Sequence, residues 1–480
     1  MSIPGSLYIA GVWSEGSGPA IDVHNPSDGS VIAAPASATE ADVAAALAAA
    51  RAAQRAWART PSAERGAHLR AIADLVAENA DTLAALLVRE VGKPRAEADG
   101  EVAFAESLLR YNAEWDRRIE GDILPGDTPG EQIHLLREPL GVVAAICPWN
   151  YPLAVLCRKL APALVTGNVL VAKPSEVTPL ATIEFFRLID ERLDLPAGVL
   201  NLVTGAGATG QALVDSPQTN LISFTGHRDT GKAIMAKAAG NLTRVSLELG
   251  GKAPAIVAAD ADLDITIPAL ITARHTNAGQ VCTCAERVLV DRAIADEFTE
   301  RYIVAASALV VGDPAGSGTE MGPMVSAAQL EKVVSAVALA QEQGAAVALG
   351  GGRPDGAQFA DGYWHAPTVL TGLEPGMAIL SDEIFGPVTP ILAVDDISAA
   401  LGEANNSRYG LSAYVFSRDY ATVMRTVDEL DFGEIYINRT HGESVHAHHA
   451  GYKESGMGGE DGRWGMLRYT QVKTAYHRYG

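Results

Sequence analysis

The sequence predicts an α/β chain made of two doubly wound units with a small β hairpin standing off them. Three observations predict it. The length, 480 residues, exceeds one ordinary hydrophobic core. From Gly141 to Ala239, apolar strand-like runs alternate with amphipathic helical ones, and a second series of the same kind runs from Gly251 to Asn438. Such alternation requires a mostly parallel sheet covered by helices on both faces, whose ligands lie at the carboxyl ends of the strands.

Taken in order, Asp42 to Trp57, Ala63 to Val91 and Glu97 to Arg118 are rich in Ala and Leu with charges at helical spacing, so the chain opens with helices. Between Glu120 and Glu138 the composition turns to Gly, Pro and Asp followed by Gln132-Ile133-His134-Leu135-Leu136, a hairpin signal. The first alternating series gives strands at Val142 to Ile146, Val169 to Ala172, Val199 to Val203 and Leu221 to Phe224. Helices are expected between and after them, at Pro152 to Thr166, Pro179 to Leu193, Thr209 to Asp215 and Gly231 to Ala239. In the second series, helices are expected at Ala295 to Ala308, Gln329 to Gln343 and Tyr420 to Leu430. The Gly- and His-rich stretch from Arg439 to Gly465 has little periodicity, and Leu467 to Tyr476 is again strand-like.

Composition narrows the function. Lys plus Arg number 37 against 58 Asp plus Glu, a net charge of −21, which argues against nucleic acid or an anionic membrane as a partner. Four cysteines make no disulfide framework and fit a reducing, cytoplasmic compartment. Met1 to Trp13 lacks a basic segment followed by an apolar run, and no apolar stretch reaches membrane-spanning length, so no targeting segment or membrane span is expected.

Four short stretches carry chemistry. Asn277-Ala278-Gly279-Gln280-Val281-Cys282-Thr283-Cys284 sets a cysteine after a turn of small residues, where substrate and backbone N–H groups can reach its sulfur; alone, such a cysteine is more often an inert core residue. Val245 to Lys252 places Glu248 among leucines at a strand end, where desolvation would raise it and suit it to general-base work, unless it points to solvent. In Ile146-Cys147-Pro148-Trp149-Asn150-Tyr151-Pro152, two prolines bracket an amide that could donate to an oxyanion. Ser381 to Pro387 is a rigid turn presenting Glu383 and Phe385.

These four stretches, in this order and at these separations, resemble the aldehyde dehydrogenase superfamily from Asn25-Pro26 to the C-terminal tail. Within it, Cys282 to Arg287, Glu114-Trp115 through Glu120-Gly121 and Tyr436-Ile437-Asn438-Arg439 look most like the lactaldehyde and glycolaldehyde dehydrogenases. The resemblance implies NAD-dependent oxidation of a small aldehyde through nucleophilic Cys282, with Asn150 holding the oxyanion and Glu248 activating water. It implies an NAD-binding domain from 1–119 and 139–250 with part of 439–465, and a catalytic domain from 251–438. The elements 120–138 and 466–480 would then build a homo-oligomer, a dimer or a tetramer.

For the cofactor, the end of the strand Asn168 to Ala172 runs into Lys173-Pro174-Ser175-Glu176. Lys173 would supply positive charge, and Glu176 could accept from ribose hydroxyls while repelling a 2′-phosphate, favouring NAD over NADP; otherwise the two form a surface ion pair. Gly205 to Gly210 matches GxGxxG literally, but the resemblance puts the pyrophosphate at the next turn, Phe224 to Gly231, where Gly226 opens a helix and His227 stands in place of the family's usual serine. It also puts Glu383 and Phe385 beside the nicotinamide ribose and extends the cofactor wall to Cys147, Trp149, Pro174, Ser175 and Gln211. From their surroundings alone, Cys147 and Cys157 read as core residues and Cys284 as a bystander.

On the substrate side, Arg158 interrupts an apolar segment. It would favour a hydroxyl or carboxylate near the carbonyl if it faces the tunnel, or it pairs with a neighbouring acid. The residues matching Arg158, Glu443 and His449 line the pocket in lactaldehyde dehydrogenases, and Thr283 adjoins the nucleophile, although the loop Thr440 to Ala447 otherwise departs from that subfamily. His441, His446, His448 and His449 lack ligand spacing on a periodic element, so no metal is expected. A short hydroxyaldehyde is thus the expected substrate; the alternatives are a succinate semialdehyde-type dehydrogenase and a catalytically silent binding or structural relative.

Overall fold

Val142–Ile146 and Val169–Lys173 are buried at every residue in the computed structural model, which describes residues 5–480; the first four residues of the expected 1–119 segment lie outside it. Strands apolar on both faces belong inside a parallel sheet, and fully burying one such Val or Leu side chain contributes about 1.5–3 kcal/mol. They sit at the centre of an eight-stranded sheet ordered Val12–Ser14, Leu7–Ile9, Leu200–Leu202, Val169–Lys173, Val142–Ile146, Leu221–Thr225, Arg244–Glu248 and Gly456–Met457. The middle five strands run parallel, and both edges are closed by antiparallel pairing. Chain order reverses between Val142–Ile146 and Leu221–Thr225, so the crevice beyond their carboxyl ends is the expected ligand position.

A second sheet of seven strands is ordered Ala346–Leu349, Thr368–Thr371, Val388–Val394, Ala285–Asp291, Ala253–Val257, Ser412–Phe416 and Glu434–Ile437, parallel except for its first pair. Only Leu249 to Lys252 separate the end of Arg244–Glu248 from the start of Ala253–Val257. The carboxyl edge of the first sheet therefore faces the amino edge of the second. Gly251, Cys282 and Phe385 each lie just ahead of a strand of that second sheet.

A strap joins the two units. Tyr452–Lys453 pairs with Tyr409–Gly410, while Gly456–Met457, two residues further on, pairs with Leu247 and Glu248 of the first sheet. Between them the Ser455 hydroxyl accepts the Gly410 N–H at 2.9 Å, and its carbonyl accepts the Leu249 N–H at 2.8 Å.

The helical span expected from Ala63 to Val91 is two helices, Ser62–Glu78 and Ala80–Val91. Asn79 breaks it: its side chain donates to the Leu75 carbonyl at 2.8 Å and its backbone leaves the helical region. The expected hairpin forms as Asp122–Pro125 and Glu131–Pro139, and the tail strand Thr470–Arg478 pairs along the whole second arm. This three-stranded sheet leaves Ile123, Leu124, Leu136, Val472 and Tyr476 exposed. Among the described residues no helix is long and apolar enough to cross a membrane.

Candidate active site

The turn ahead of Cys282 is strained and firmly held. Asn277, Ala278 and Gly279 have φ of 50°, 54° and 75°, and a side chain on Gly279 would start 2.4 Å from the Gly386 carbonyl oxygen. Left-handed backbone at Asn and Ala costs about 1–3 kcal/mol each and persists only where the surroundings enforce it. Here a half-buried Glu97 carboxylate accepts the Asn277 N–H at 2.7 Å, and the Gln280 amide donates to the Asn277 carbonyl at 2.8 Å while accepting from Val325 N–H at 2.9 Å. The result aims the half-buried Cys282 into a cavity of about 550 Å³ between the two sheets.

Asn150 borders the same cavity. One N–H of its amide donates to the Gln280 carbonyl at 2.9 Å, which orients the group and leaves its second N–H for another acceptor. Glu248, the last residue of its strand, is 3 % exposed, and neither carboxylate oxygen has a hydrogen-bond partner. Burial pushes its carboxyl up to about 8, against a smaller opposing pull from His449.

His449 lies at the centre of the polar wall. Its Nδ1 is 3.0 Å from Glu434 Oε1 and 3.8 Å from Glu443 Oε1, its Nε2 is 3.8 Å from Glu248 Oε2, and it borders the same cavity as Cys282. Burial works against its charge, yet Glu443 and Glu434 hold the imidazole well above its ordinary value. Arg158 also faces the cavity, but its guanidinium is tied to Glu443 and, at 2.9 Å, to Asp461. Both readings of Arg158 therefore meet in one residue: it lines the tunnel and it is ion-paired. Thr283 lines the cavity with a buried, unpartnered hydroxyl.

On the other side, Trp149, Gly226, His227, Glu383 and Phe385 form a wall continuous with this cavity. His227 caps the helix Arg228–Ala238, its Nδ1 accepting the Asp229 N–H as a serine hydroxyl would. A side chain on Gly226 would start 2.6 Å from the Phe224 ring, so only glycine lets that turn pass. Glu286, fully buried between Lys252 and Arg274, accepts the N–H groups of Ile384 and Phe385 and so fixes the Glu383–Phe385 turn; burial opposes its charge, but the two cations bring it down to about 2. The Phe385 ring meets Trp149 edge-on at 5.4 Å.

Lys173 ends its strand with a 5 % exposed side chain, 3.6 Å from Glu176 and donating to the Pro174 carbonyl at 3.0 Å. Pro174, Ser175 and Glu176 follow it along the carboxyl edge, outside the cavity proper. A long groove with one buried ammonium, a glycine turn opening a helix, and aromatic and acidic groups at its inner end suits a dinucleotide.

Gln211 and Cys147, also expected on the cofactor wall, stand apart from the cavity as well. Gln211 is turned along its own helix to Asp215 at 3.2 Å, because the helix Gly207–Asp215 presents it to solvent. Cys147 is 5 % exposed and its thiol is pushed up to about 12 by burial, which fits its other reading as core. Conversely, Gln329 and Lys332 border the cavity from the helix Ala327–Glu342, Glu97 holds the backbone of the cysteine turn, and Glu434 holds the His449 ring. In sequence these four look like ordinary polar positions of amphipathic elements, and no local motif marks them.

The geometry has counterparts among known proteins. The aldehyde dehydrogenase family model matches residues 13–475. Lactaldehyde dehydrogenase of Escherichia coli (strain K12) is 44% identical over 481 residues, covering 99% of each chain. A solved 3,6-anhydro-L-galactose dehydrogenase in complex with NAP is 42% identical with a TM-score of 0.96 over 98% of this chain and 99% of that one. Betaine aldehyde dehydrogenase from Staphylococcus aureus in complex with NAD+ is 36% identical with a TM-score of 0.96 over 99% and 95%. Two doubly wound units enclosing a cysteine-bearing cleft are thus the fold of an oxidoreductase class. The chain belongs to the aldehyde dehydrogenase family, and it is an enzyme that oxidises aldehydes with a nicotinamide dinucleotide.

Proposed function

We propose that the enzyme oxidises a short hydroxyaldehyde, lactaldehyde or glycolaldehyde, to its carboxylic acid with NAD. The observation that carries this reading is the Arg158–Glu443–His449 wall: it offers donors and an acceptor in the cavity that Cys282 borders, while the one guanidinium is already matched by two acids. Such a wall suits hydroxyls. A free carboxylate on the substrate would meet Glu443 and an Arg158 already paired with two acids instead of an open cation, which argues against the succinate semialdehyde alternative. A silent scaffold has no physical use for a cavity-facing thiol beside a desolvated acid, so family membership and these residues together argue against the non-catalytic one.

In this reading the Cys282 sulfur adds to the aldehyde carbon, and the oxyanion is held by the free Asn150 N–H and the Cys282 backbone N–H. A bound nicotinamide supplies the hydride acceptor. Trp149, Gly226, His227, Glu383 and Phe385 position that ring and its phosphates. Lys173 and Glu176 hold the adenosine end with Pro174 and Ser175, and the Glu176 carboxylate disfavours a 2′-phosphate. Glu248 in its ionised form then takes a proton from water as the water attacks the Cys282 thioester, releasing the acid. Thr283 stands beside the substrate.

The same proposal assigns 1–119 and 139–250, with part of 439–465, to NAD binding, 251–438 to catalysis, and 120–138 with 466–480 to homo-oligomer formation through the apolar three-stranded sheet. Four free cysteines suit a cytoplasmic setting. The test is NADH formation from glycolaldehyde, lactaldehyde, succinate semialdehyde and benzaldehyde, each with NAD and NADP. Preference for the two hydroxyaldehydes with NAD is expected, and preference for the semialdehyde would overturn the substrate reading.

A further inference from the structure

Helix interiors select against glycine, because it loses the most backbone freedom on ordering. The helix Arg95–Ala113 nevertheless carries Gly100 in its second turn. Gly66, inside the helix Ser62–Glu78, has a packing reason: a side chain there would start 2.5 Å from the Asp116 Cβ. Gly100 has no such reason, since a Cβ built on it meets nothing within 4 Å, and its backbone is ordinary helix. What its missing side chain leaves open is the cavity, which Gly100 borders while also being exposed to solvent.

Its place on the helix fixes where that opening lies. Glu97, Gly100, Glu101 and Phe104 share one helix face by their spacing of three and four residues, and all four border the cavity. At one end of this stripe, Glu97 holds the cysteine turn by accepting the Asn277 N–H at 2.7 Å. At the other end, the Phe104 ring stands against the Arg158 wall, its centroid 5.4 Å from the guanidinium carbon. Seven helical residues rise about 10 Å, so Gly100 sits midway between the nucleophile's turn and that wall. Its neighbour Glu101 offers a substrate no free oxygen: Oε1 accepts the Leu153 and Ala154 N–H groups at 3.0 and 3.2 Å, and Oε2 accepts from Lys93 at 2.5 Å.

We propose that Gly100 is a specificity-determining residue: the notch it leaves takes the tail of an aldehyde longer than lactaldehyde, and the size of the residue at 100 sets the longest aldehyde that the enzyme oxidises. The inference rests on the proposed reading for the position of the aldehyde carbon at Cys282, and it widens the substrate class from short hydroxyaldehydes to chains that extend past the Arg158 wall toward Phe104. A small aldehyde ends before the notch, so it is indifferent to what fills it. A long one must pass through.

The experiment measures kcat and KM with NAD for glycolaldehyde, lactaldehyde, butanal and hexanal, in the full-length enzyme and in Gly100→Ala and Gly100→Leu, with thermal melts of all three. The wild-type enzyme is expected to oxidise butanal and hexanal. Gly100→Leu is expected to lower the hexanal-to-glycolaldehyde ratio of kcat/KM by about tenfold or more, chiefly through the KM for hexanal, and Gly100→Ala to lower it by less. Both variants are expected to melt at or above the wild-type temperature, because Ala and Leu are better helix formers than Gly, which separates a filled notch from a damaged fold. Should Gly100→Leu not accumulate as folded protein, Gly100→Ala carries the test. A loss equal for all four aldehydes, an unchanged ratio in the folded variants, or a wild-type enzyme inactive on both alkanals would overturn the proposal. Failure of the underlying reading looks different: the wild-type enzyme would prefer succinate semialdehyde to glycolaldehyde and lactaldehyde, whatever residue stands at 100.

Discussion

His449 Nε2 stands 3.8 Å from Glu248 Oε2, and neither oxygen of that carboxylate accepts a hydrogen bond. The acid is thus kept neutral by burial and must ionise before it can act on water. Hydrolysis of the acyl-enzyme is expected to rise with pH through a midpoint near the value of about 8 to which burial brings Glu248. The sign follows from the base form being the active one. Glu248→Gln should remove this limb, leaving a burst of NADH followed by steady turnover slowed ~10²–10⁴-fold. Rapid-mixing absorbance measurements check it, and an unchanged steady rate would remove Glu248 from the role.

Cys282→Ala removes the attacking atom while leaving the groove from Lys173 to Phe385 intact. Aldehyde oxidation should fall to the background of the assay, with NAD binding retained within about threefold, or ~0.6 kcal/mol. Fluorescence titration of the cofactor beside the kinetic assay separates the two effects.

Glu176 sits on the carboxyl edge with a 38 % exposed side chain, near enough to Lys173 to share its charge. Glu176→Gln should leave NAD turnover nearly unchanged and raise kcat/KM for NADP by about tenfold, corresponding to ~1.4 kcal/mol. Equal discrimination in the variant would assign cofactor choice elsewhere on the groove.

His275 closes the helix that leads into the cysteine turn. Neither of its ring nitrogens has a hydrogen-bond partner, and burial brings its pKa down to about 3. The unfolded chain takes up this proton near 6.5 and the folded chain does not, so the contribution is present above that value and is lost as pH falls from there toward 3. The slope is at most about 1.4 kcal/mol per pH unit for one proton. His275→Phe should flatten the acid limb of urea-melt stability between pH 6.5 and pH 4; an unaltered slope would show that this imidazole does not titrate with folding.

Much of the architecture is legible because apolar strands buried on both faces leave continuous runs such as Val142-Val143-Ala144-Ala145-Ile146, and because Cys282, Glu248 and Asn150 each lie in a short local motif. Residues acting across the fold are not legible in that way. Glu434 meets His449 through a bond spanning 15 positions, and Glu97 meets Asn277 across 180. On their own elements both occupy ordinary polar positions, so only the fold reveals what they hold. Gln211 comes to the cofactor wall only through the family resemblance; in the fold its side chain lies along its own helix, donating to Asp215.

The strap through Ser455 has a kinetic consequence. One residue accepts hydrogen bonds from Gly410 of the second unit and Leu249 of the first, so the two walls of the crevice are stitched at a fixed gap. A wide hinge motion would break both bonds and the pairing of Gly456–Met457 with Glu248's own strand. With the nucleotide in the proposed groove, exchange is expected to proceed along the rim at His227 and Lys332 with the jaws stationary. Substitutions on that rim should govern product-release rates even where they never touch the aldehyde.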